Sequence, residues 1–257
     1  MNGVSGMNAI LLGEWTKMRS VRSTMWTLLA TAVLMIAGGV AFSMIMTASW
    51  DNLAPQMATA FDPTSISLFG AGFAALAAAA LGVLVISGEY RTGMIRTTFL
   101  AVPRRLHVLA AKAAVLTVTV LTVTAGASLV SFLAGQALLA PTGSQASLGD
   151  PGVLRAVLGT GLYLTASGLF GLAVGALIRH AAGAIVAVIA LIFVLPPMAS
   201  ALPGGWGRYV TVNAGQQIMA TRTAEGALGP WTGFGVYCAW IAVTMIVAAV
   251  LMNRRDA

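Results

Sequence analysis

Few residues in this chain of 257 could do chemistry, and their spacing matches no common catalytic or metal-binding pattern. A phosphate-binding GxxxxGK[ST] loop needs a Gly-Lys pair, but neither Lys17 nor Lys112 follows a glycine. There is no HExxH motif, and Ser167 has no histidine at its own depth, because His107 and His180 flank the apolar runs. The sequence therefore predicts no catalytic residue, no metal site and no cofactor bound by this chain, which is not expected to act as an enzyme by itself.

The residues that would position any functional group are overwhelmingly apolar. Hydrophobic residues make up 58% of the chain, charged residues 8%, and the mean hydropathy is +0.90. A soluble domain carries roughly 25% charged residues, so a lipid environment suits this composition better than water does. The apolar runs are long and do not alternate, which favours helices over a membrane barrel. Six runs without any Asp, Glu, Lys, Arg or His predict membrane spans near Thr24–Met46, Thr64–Ile86, Ala113–Leu139, Ala156–Ile178, Gly183–Leu202 and Trp231–Met252.

The basic residues between these runs predict the orientation. Eleven lie on the side of the two termini, against three on the other side, and positive charge marks the cytoplasmic side. The eleven are Lys17, Arg19, Arg22, Arg91, Arg96, Arg104, Arg105, Lys112, Arg179, Arg254 and Arg255, and the three are Arg155, Arg208 and Arg222. The fold class predicted is an all-α polytopic membrane protein, N-in and C-in, with residues 1–257 as a single transmembrane domain. The net charge of +7 reads as orientation signal and lipid contact, not as nucleic-acid binding.

The segment from residue 7 to residue 22 predicts an amphipathic helix in the membrane interface. Met7, Leu11, Trp15 and Met18 recur at helical steps and form an apolar face, with Trp15 at headgroup depth. The charged residues Glu14, Lys17 and Arg19 are expected to lie mostly off that face. The alternative is a simple basic flank that fixes the topology.

The connection between spans two and three is longer than topology requires. Residues 91–100 predict a short helix on the membrane surface, and Pro103 suits the first turn of a new helix. That second helix is expected to carry Arg104, Arg105 and Lys112 at the lipid headgroups. From spacing alone, Glu89 and Arg91 could equally be a solvated loop pair worth about 0–1 kcal/mol.

These residues resemble a known family, the type 2 ABC transporter permeases. The resemblance rests on Glu89, Gly93, Pro103, Arg105 and Lys112, which run from the end of span two into span three. The opening EWTKMRSVRSTMWTLL and the NAGQQ stretch before span six are similar to those of actinobacterial members. The short motifs together extend over essentially the whole chain.

The resemblance implies the membrane subunit of an ABC exporter in the bacterial cytoplasmic membrane. Such a subunit pairs with a second permease copy or a homologous permease, above separate ATPase subunits that hold the ATP and Mg. The segment from Glu89 to Leu100 would contain the coupling helix. The docking set would be Glu89, Arg91, Gly93, Arg96, Pro103 and Arg105, and the interface helix would contribute Glu14, Trp15, Lys17 and Arg19.

The connection from residue 203 to residue 230 predicts an outer element. Pro196 and Pro197 are expected to kink or end span five, and residues 213–221 predict a short helix that either dips toward the membrane or lies on its surface. The resemblance implies an outer gate here, with Asn213, Gln216 and Gln217 as its candidates.

Three classes of function remain open at this stage. The first is the exporter subunit, the second is a secondary carrier or channel that works without an ATPase, and the third is a membrane anchor or assembly protein. Charged residues inside spans mark ion-coupled carriers, and the six predicted spans contain none, which favours the first class over the second.

Overall fold

The computed structural model describes residues 3–52, 61–102, 105–201, 203–224 and 226–254, and contains no strand in these segments. Several predicted residues, including Pro103, Arg104, Glu225 and Arg255, lie outside the described part. The helices are α1 Gly3–Ser20, α2 Arg22–Ala48, α3 Pro63–Ser67, α4 Ala71–Thr92, α5 Met94–Ala101, α6 Arg105–Leu139, α7 Val153–Ile178, α8 Ala181–Ser200, α9 Thr211–Gln216 and α10 Pro230–Arg254.

Six of these helices are long and apolar enough to cross a membrane, which confirms the six predicted spans. They are α2, α4, α6, α7, α8 and α10. At 1.5 Å per residue the shortest of them, with 20 residues, spans about 30 Å, the thickness of a bilayer core. The composition and the helix lengths together make this a multi-pass membrane protein.

Helix α7 lies at the centre of the bundle, where 78% of its apolar window is buried, against 17% for the peripheral α10. Close packing between α4 and α7 depends on glycine. A Cβ at Gly82 would collide with the Gly168 carbonyl, and a Cβ at Gly171 would collide with the Ala79 carbonyl. These glycines pack α4 directly against α7, because only glycine permits this backbone approach.

Hydroxyl side chains also add polar links, which run from α6 to α7 and to α3. Most of them donate to a carbonyl one turn earlier in their own helix, as Thr117 does to Ala113 and Thr160 does to Ala156. Ser128 instead donates to the Val157 carbonyl of α7 at 2.9 Å, and Ser131 donates to the Ser67 carbonyl at 2.7 Å. These hydroxyls are satisfied by the backbone, so their presence does not require a polar pathway.

The two ends of the bundle differ in charge. We call the end where α2, α6 and α8 begin and α4, α7 and α10 end the basic end. The described members of the predicted cytoplasmic set are Lys17, Arg19, Arg22, Arg91, Arg96, Arg105, Lys112, Arg179 and Arg254, and all belong to segments at this end. The opposite end carries Asp51, Asp62, Asp150, Arg155, Arg208 and Arg222.

The boundaries of spans two and three differ from the prediction. Pro63 starts the separate short helix α3, capped by the Asp62 carboxylate, which accepts from the Thr64 N–H. A turn at residues 68–70 follows, where Gly70 lies against the Met35 carbonyl and leaves no room for a Cβ. Helix α4 then runs on to Thr92, and α6 begins at Arg105 instead of Ala113. Glu89 and Lys112 therefore lie within the long helices.

Span five continues through its two prolines. Residues Ala190–Val194 form a π-helical turn, after which Leu195–Ser200 is α-helical with the prolines in its first turn. A proline lacks the N–H that the preceding turn would use, and a π turn is one way in which a helix absorbs that defect. The kink or early end expected at the prolines takes the form of this local π turn, and the helix continues to Ser200.

Candidate functional site at the basic end

Four charged side chains meet between α1, α4 and α6, and we call them the charge cluster: Glu14, Lys17, Glu89 and Lys112. Lys112 Nζ donates to Glu14 Oε2 at 2.6 Å and to Glu89 Oε1 at 2.7 Å. Lys17 Nζ donates to Glu14 Oε1 and to Glu89 Oε1, both at 2.8 Å. Each lysine thus contacts both carboxylates, and the two positive and two negative charges cancel.

The charge cluster is largely sheltered from solvent. The side chains of Lys112, Glu14 and Glu89 are 1%, 6% and 8% exposed, whereas that of Lys17 is 33% exposed. Burial disfavours a single charge strongly, so such groups persist only when they are paired and hydrogen-bonded. The alternation of charges supplies this pairing, except that Glu89 Oε2 is buried without a hydrogen-bond partner among the described residues.

Each element brings its charge to the cluster for a local reason. Glu14 and Lys17 are three residues apart on α1 and therefore share one face of that helix. Glu89 lies in the last turn of α4, where the helix dipole disfavours a carboxylate, and the two ammonium groups offset this cost. Lys112 lies two turns into α6, among Val108, Leu109 and Val115, all of which are buried.

The electrostatics of Lys17 reflect this balance. Burial by itself lowers the pKa of Lys17, but the hydrogen bonds to Glu14 and Glu89 and the negative charges of both carboxylates outweigh it. The pKa of Lys17 is therefore raised from its usual value of 10.5, and the side chain is charged at neutral pH.

Two predictions about charged residues are corrected here. Glu14 was expected mostly off the apolar face of the first helix, but it is buried together with Met18 of that face, and both are 6% exposed. Trp15 is 40% exposed, and its place at headgroup depth stays a prediction. Lys112 was expected at the lipid headgroups and is instead buried. A prediction from hydrophobic periodicity places charged residues on the exposed face of a helix. It cannot anticipate that Glu14 and Lys112 neutralise each other between two helices.

The short helix predicted at residues 91–100 is α5, Met94–Ala101, and it is reached through a sharp joint. Gly93 is both the C-cap of α4 and the N-cap of α5, and its φ is +70°. This left-handed conformation is one that glycine adopts without penalty. The joint allows the chain to leave the long axis of α4 within one residue.

Helix α5 has one anchored face and one open face. Ile95 is 3% exposed, and Thr98 accepts a long hydrogen bond, 3.5 Å, from Lys17 Nζ of the charge cluster. On the other side Gly93, Arg96, Thr97 and Leu100 form an exposed stripe at helical spacing, and Leu100 is 84% exposed. Sequence reasoning missed Thr98, because a lone threonine in a polar segment carries no signal.

The remaining predicted docking residues lie nearby but outside the charge cluster. Arg91 is exposed at the end of α4. The Arg105 guanidinium donates to the Met252 carbonyl at 2.7 Å, and Arg179 donates to the Leu251 carbonyl at 3.4 Å while lying over the Tyr90 ring. Both arginines place positive charge at the carboxyl end of α10, where the helix dipole favours it. Arg19 is exposed on α1.

The predicted outer residues lie at the opposite end and do not join the charge cluster. The Asn213 amide donates to the Gly207 carbonyl at 2.9 Å and to the Ser200 hydroxyl at 3.0 Å, which ties α9 to the end of α8. The Gln217 amide donates to the Asn213 carbonyl at 3.1 Å, and Gln216 is half-buried at the end of α9.

The segment around α9 packs inside the bundle rather than over its surface. Ala214 and Ile218 are fully buried, Gly215 contacts the ring of Tyr237, and Gly159 lies against the Ile218 carbonyl. From α7, Arg155 donates to the Ile218 and Ala220 carbonyls. The segment therefore packs against α7 and α10, and its depth relative to a bilayer stays a prediction.

Ser167 is engaged in structure. Its hydroxyl donates to the Tyr163 carbonyl at 2.9 Å and accepts from the Tyr237 hydroxyl at 3.1 Å. Within the described residues no group of three or more His, Cys, Asp or Glu is placed to hold a metal ion. No family model matches the sequence, and no curated protein is significantly similar to it.

Proposed function

We propose that this chain is the membrane-spanning permease subunit of an ATP-driven exporter of the ABC type. A separate ATPase would supply ATP and Mg, and two permease subunits would form the translocation pathway. The proposal rests on the resemblance carried by Glu89, Gly93, Arg105 and Lys112, together with the architecture of the basic end. The excess of basic residues there supports a cytoplasmic location for this end.

The observation that carries the proposal is that α5 has one face packed against the protein and one exposed face. An isolated eight-residue helix is not stable in water, yet α5 is anchored by Ile95 and by the contact of Thr98 with Lys17. Its exposed stripe ends in Leu100, an apolar side chain that a partner could bury. A short, anchored helix with a free mixed face is what docking into a cleft of another protein requires.

The charge cluster gives such docking a mechanical consequence. A push on α5 reaches α4 through the Gly93 joint and reaches α1 and α6 through Lys17, because Lys17 bonds to Thr98 and to both carboxylates. Packed elements with discrete arrangements move as units rather than deforming continuously. Closure of an ATPase dimer would therefore displace three helices together, and the outer segment held by Asn213 and Gln217 would gate the far end. Little of the described chain lies outside the bundle, which favours a lipophilic cargo.

The first test is affinity purification of the tagged chain from its native host in mild detergent, with mass spectrometry of the proteins that co-purify. We expect an ATPase of the cassette type in equimolar amount. Its absence from a preparation in which the six-span protein is intact and folded would contradict the proposal.

A second test examines the open face of α5. Arg96→Glu and Leu100→Asp should each reduce co-purification of the ATPase at least about tenfold, because a lost ion pair or a buried carboxylate costs more than about 1.4 kcal/mol. Arg254→Glu is the matched control, since Arg254 is also exposed at the same end but lies on α10, outside the docking and interface-helix sets. Equal retention in all three variants would show that α5 is not the docking element.

A carrier that works without an ATPase is the second candidate, and one observation favours it. Helices α4 and α6 extend through Glu89 and Lys112, so buried charges do lie within the long helices, as ion-coupled carriers require. Their mutual pairing leaves no unbalanced charge for an ion. Ion-gradient-driven uptake into liposomes that contain this chain alone would decide for the carrier.

A further inference from the structure

A cavity of about 380 Å³ opens beside the charge cluster, between the α1–α2 junction and α4. Pockets of roughly 300–1,000 Å³ are typical for small ligands. Gly88 faces this space, since a Cβ built on it meets no heavy atom within 4 Å. Arg91 lies one turn toward the end of the helix, and Leu84 lies one turn deeper, so the wall formed by α4 changes from charged to apolar along its length.

The charges along the cavity do not balance. Glu14, Lys17, Glu89 and Lys112 line it and cancel one another, whereas Arg91 forms no ion pair with any residue that the structure describes. The uncompensated charge is therefore positive and lies at the solvent-facing rim. An anionic group on a ligand would complete the pairing.

A second polar group lies deeper on the same helix. Ser87 is 1% exposed, and its hydroxyl has no hydrogen-bond partner among the described residues. It is four residues from Arg91, about 6 Å along the helix axis. An unpaired buried hydroxyl is costly, and an acceptor at that depth, such as an ester carbonyl, would satisfy it.

We infer that this cavity binds a glycerophospholipid from the surrounding bilayer. Its phosphate would lie at Arg91, the ester carbonyl below it would accept from Ser87, and an acyl chain would run over Gly88 toward Leu84 and Val85. Arginine binds phosphate through charge-assisted hydrogen bonds, and a ligand with an apolar tail fits a wall that becomes apolar with depth. The site goes beyond the proposed export function, since it needs neither an ATPase nor a cargo.

The test uses the full chain purified in a neutral maltoside detergent and titrated with phosphatidylglycerol, with bound lipid counted by native mass spectrometry. Gly88→Leu places a side chain in the cavity, where a Cβ meets no heavy atom within 4 Å, and should lower occupancy of the first lipid at least fivefold. Gly72→Leu is the matched control, because Gly72 lies on the same helix at the opposite end, is similarly half-buried, and also has open space around it. It should change occupancy less than twofold.

Further experiments test whether the phosphate of the lipid is the group that the site recognises. Arg91→Gln, at an exposed position that leaves the packing intact, should weaken phosphatidylglycerol about tenfold, as expected for a lost charge-assisted contact. The same variant should leave binding of diacylglycerol, which has no phosphate, unchanged. Millimolar inorganic phosphate should not displace the lipid.

Three results would overturn the inference. They are equal lipid occupancy in Gly88→Leu and Gly72→Leu, equal affinity of the wild type for phosphatidylglycerol and diacylglycerol, and displacement of the lipid by inorganic phosphate, which would indicate a free-anion site. Thermal unfolding of each variant checks its folding, and if Gly88→Leu does not fold, the Arg91→Gln arm decides the question alone. None of these outcomes bears on whether an ATPase co-purifies.

Discussion

Lys112 is the residue on which the basic end depends most. It is the most deeply buried charge of the cluster, and it joins the first helix to the long helix α4 through one ammonium group. Replacing a buried ion pair as a unit is often neutral, whereas removing one partner leaves an unpaired buried charge. Lys112 is therefore important because its removal would leave the buried carboxylate of Glu14 without an ammonium partner on α6 and would weaken the pairing of Glu89.

Lys112→Met should lower the free energy of unfolding by about 3–5 kcal/mol, because Glu14 Oε2 loses its partner and Glu89 keeps only Lys17. Adding Glu89→Gln removes the matching negative charge and should restore at least about half of that loss, which a double-mutant cycle measures in detergent. Arg19→Met, at an exposed position, should stay within about 0.5 kcal/mol of the wild type. Simple additivity of Lys112→Met and Glu89→Gln would show that the two groups are not coupled.

The pH dependence of Lys17 has a defined sign. Its pKa is raised above 10.5 in the folded protein, so its stabilising contribution is complete below the unfolded value and is lost as pH rises through the folded value. The difference in melting temperature between wild type and Lys17→Met should stay constant from about pH 7 to 9 and shrink above about pH 10.5. A difference that shrinks already between pH 7 and 9 would mean that Lys17 is not held in its charged form.

At the scale of elements, the joint between α4 and α5 decides where the surface helix points. The Gly93 φ of +70° turns the chain within one residue, and a Cβ there would meet no neighbour, so its cost would be conformational alone. Similar reasoning applies to α8, where the π turn before the prolines keeps one span continuous. Local backbone chemistry thus sets the direction of both elements.

Gly93→Ala should destabilise the protein by about 1 kcal/mol, since an L-residue in the left-handed region costs roughly 1–2 kcal/mol. The added methyl group gains no contact that would offset this cost. Gly126→Ala is the control: Gly126 is also surrounded by open space but lies within helix α6, where alanine is favoured by about 0.5–1 kcal/mol. Thermal unfolding of the two variants should therefore shift in opposite directions. Identical shifts would show that the left-handed joint is not populated.

At the scale of the whole molecule, the asymmetry between the two ends is the feature that relates the bundle to a membrane. The basic end holds the charge cluster, α5 and the phospholipid cavity, and the opposite end holds the buried α9 segment. If the basic end faces the cytoplasm, as the positive-inside rule predicts, then partners that use nucleotides meet the end that has the anchored surface helix.

Cysteine labelling in intact cells tests this orientation. After Cys238→Ala, Gln145→Cys at the opposite end should react with an impermeant maleimide, whereas Thr97→Cys on α5 should react only after the cells are permeabilised. Both positions are exposed, which makes them a matched pair. The reverse pattern would place the basic end outside and would contradict both the orientation and the docking proposal.

The sequence by itself determined the number of spans and the asymmetry of charge. Both are properties of composition along the chain: runs of more than about 18 apolar residues must be helical in lipid, and arginines cluster between particular runs whatever the packing.

Only the tertiary structure decided which charges are buried. Glu14 and Lys112 look like solvated flanks in sequence, because each is surrounded by other polar residues or precedes an apolar run. Their burial depends on pairing between helices, and neither Glu14 with Lys112, 98 positions apart, nor Lys17 with Glu89, 72 positions apart, can be paired by local periodicity. The same holds for the space in front of Gly88: a cavity is defined by how helices α1, α2 and α4 pack together, and no single helix encodes it.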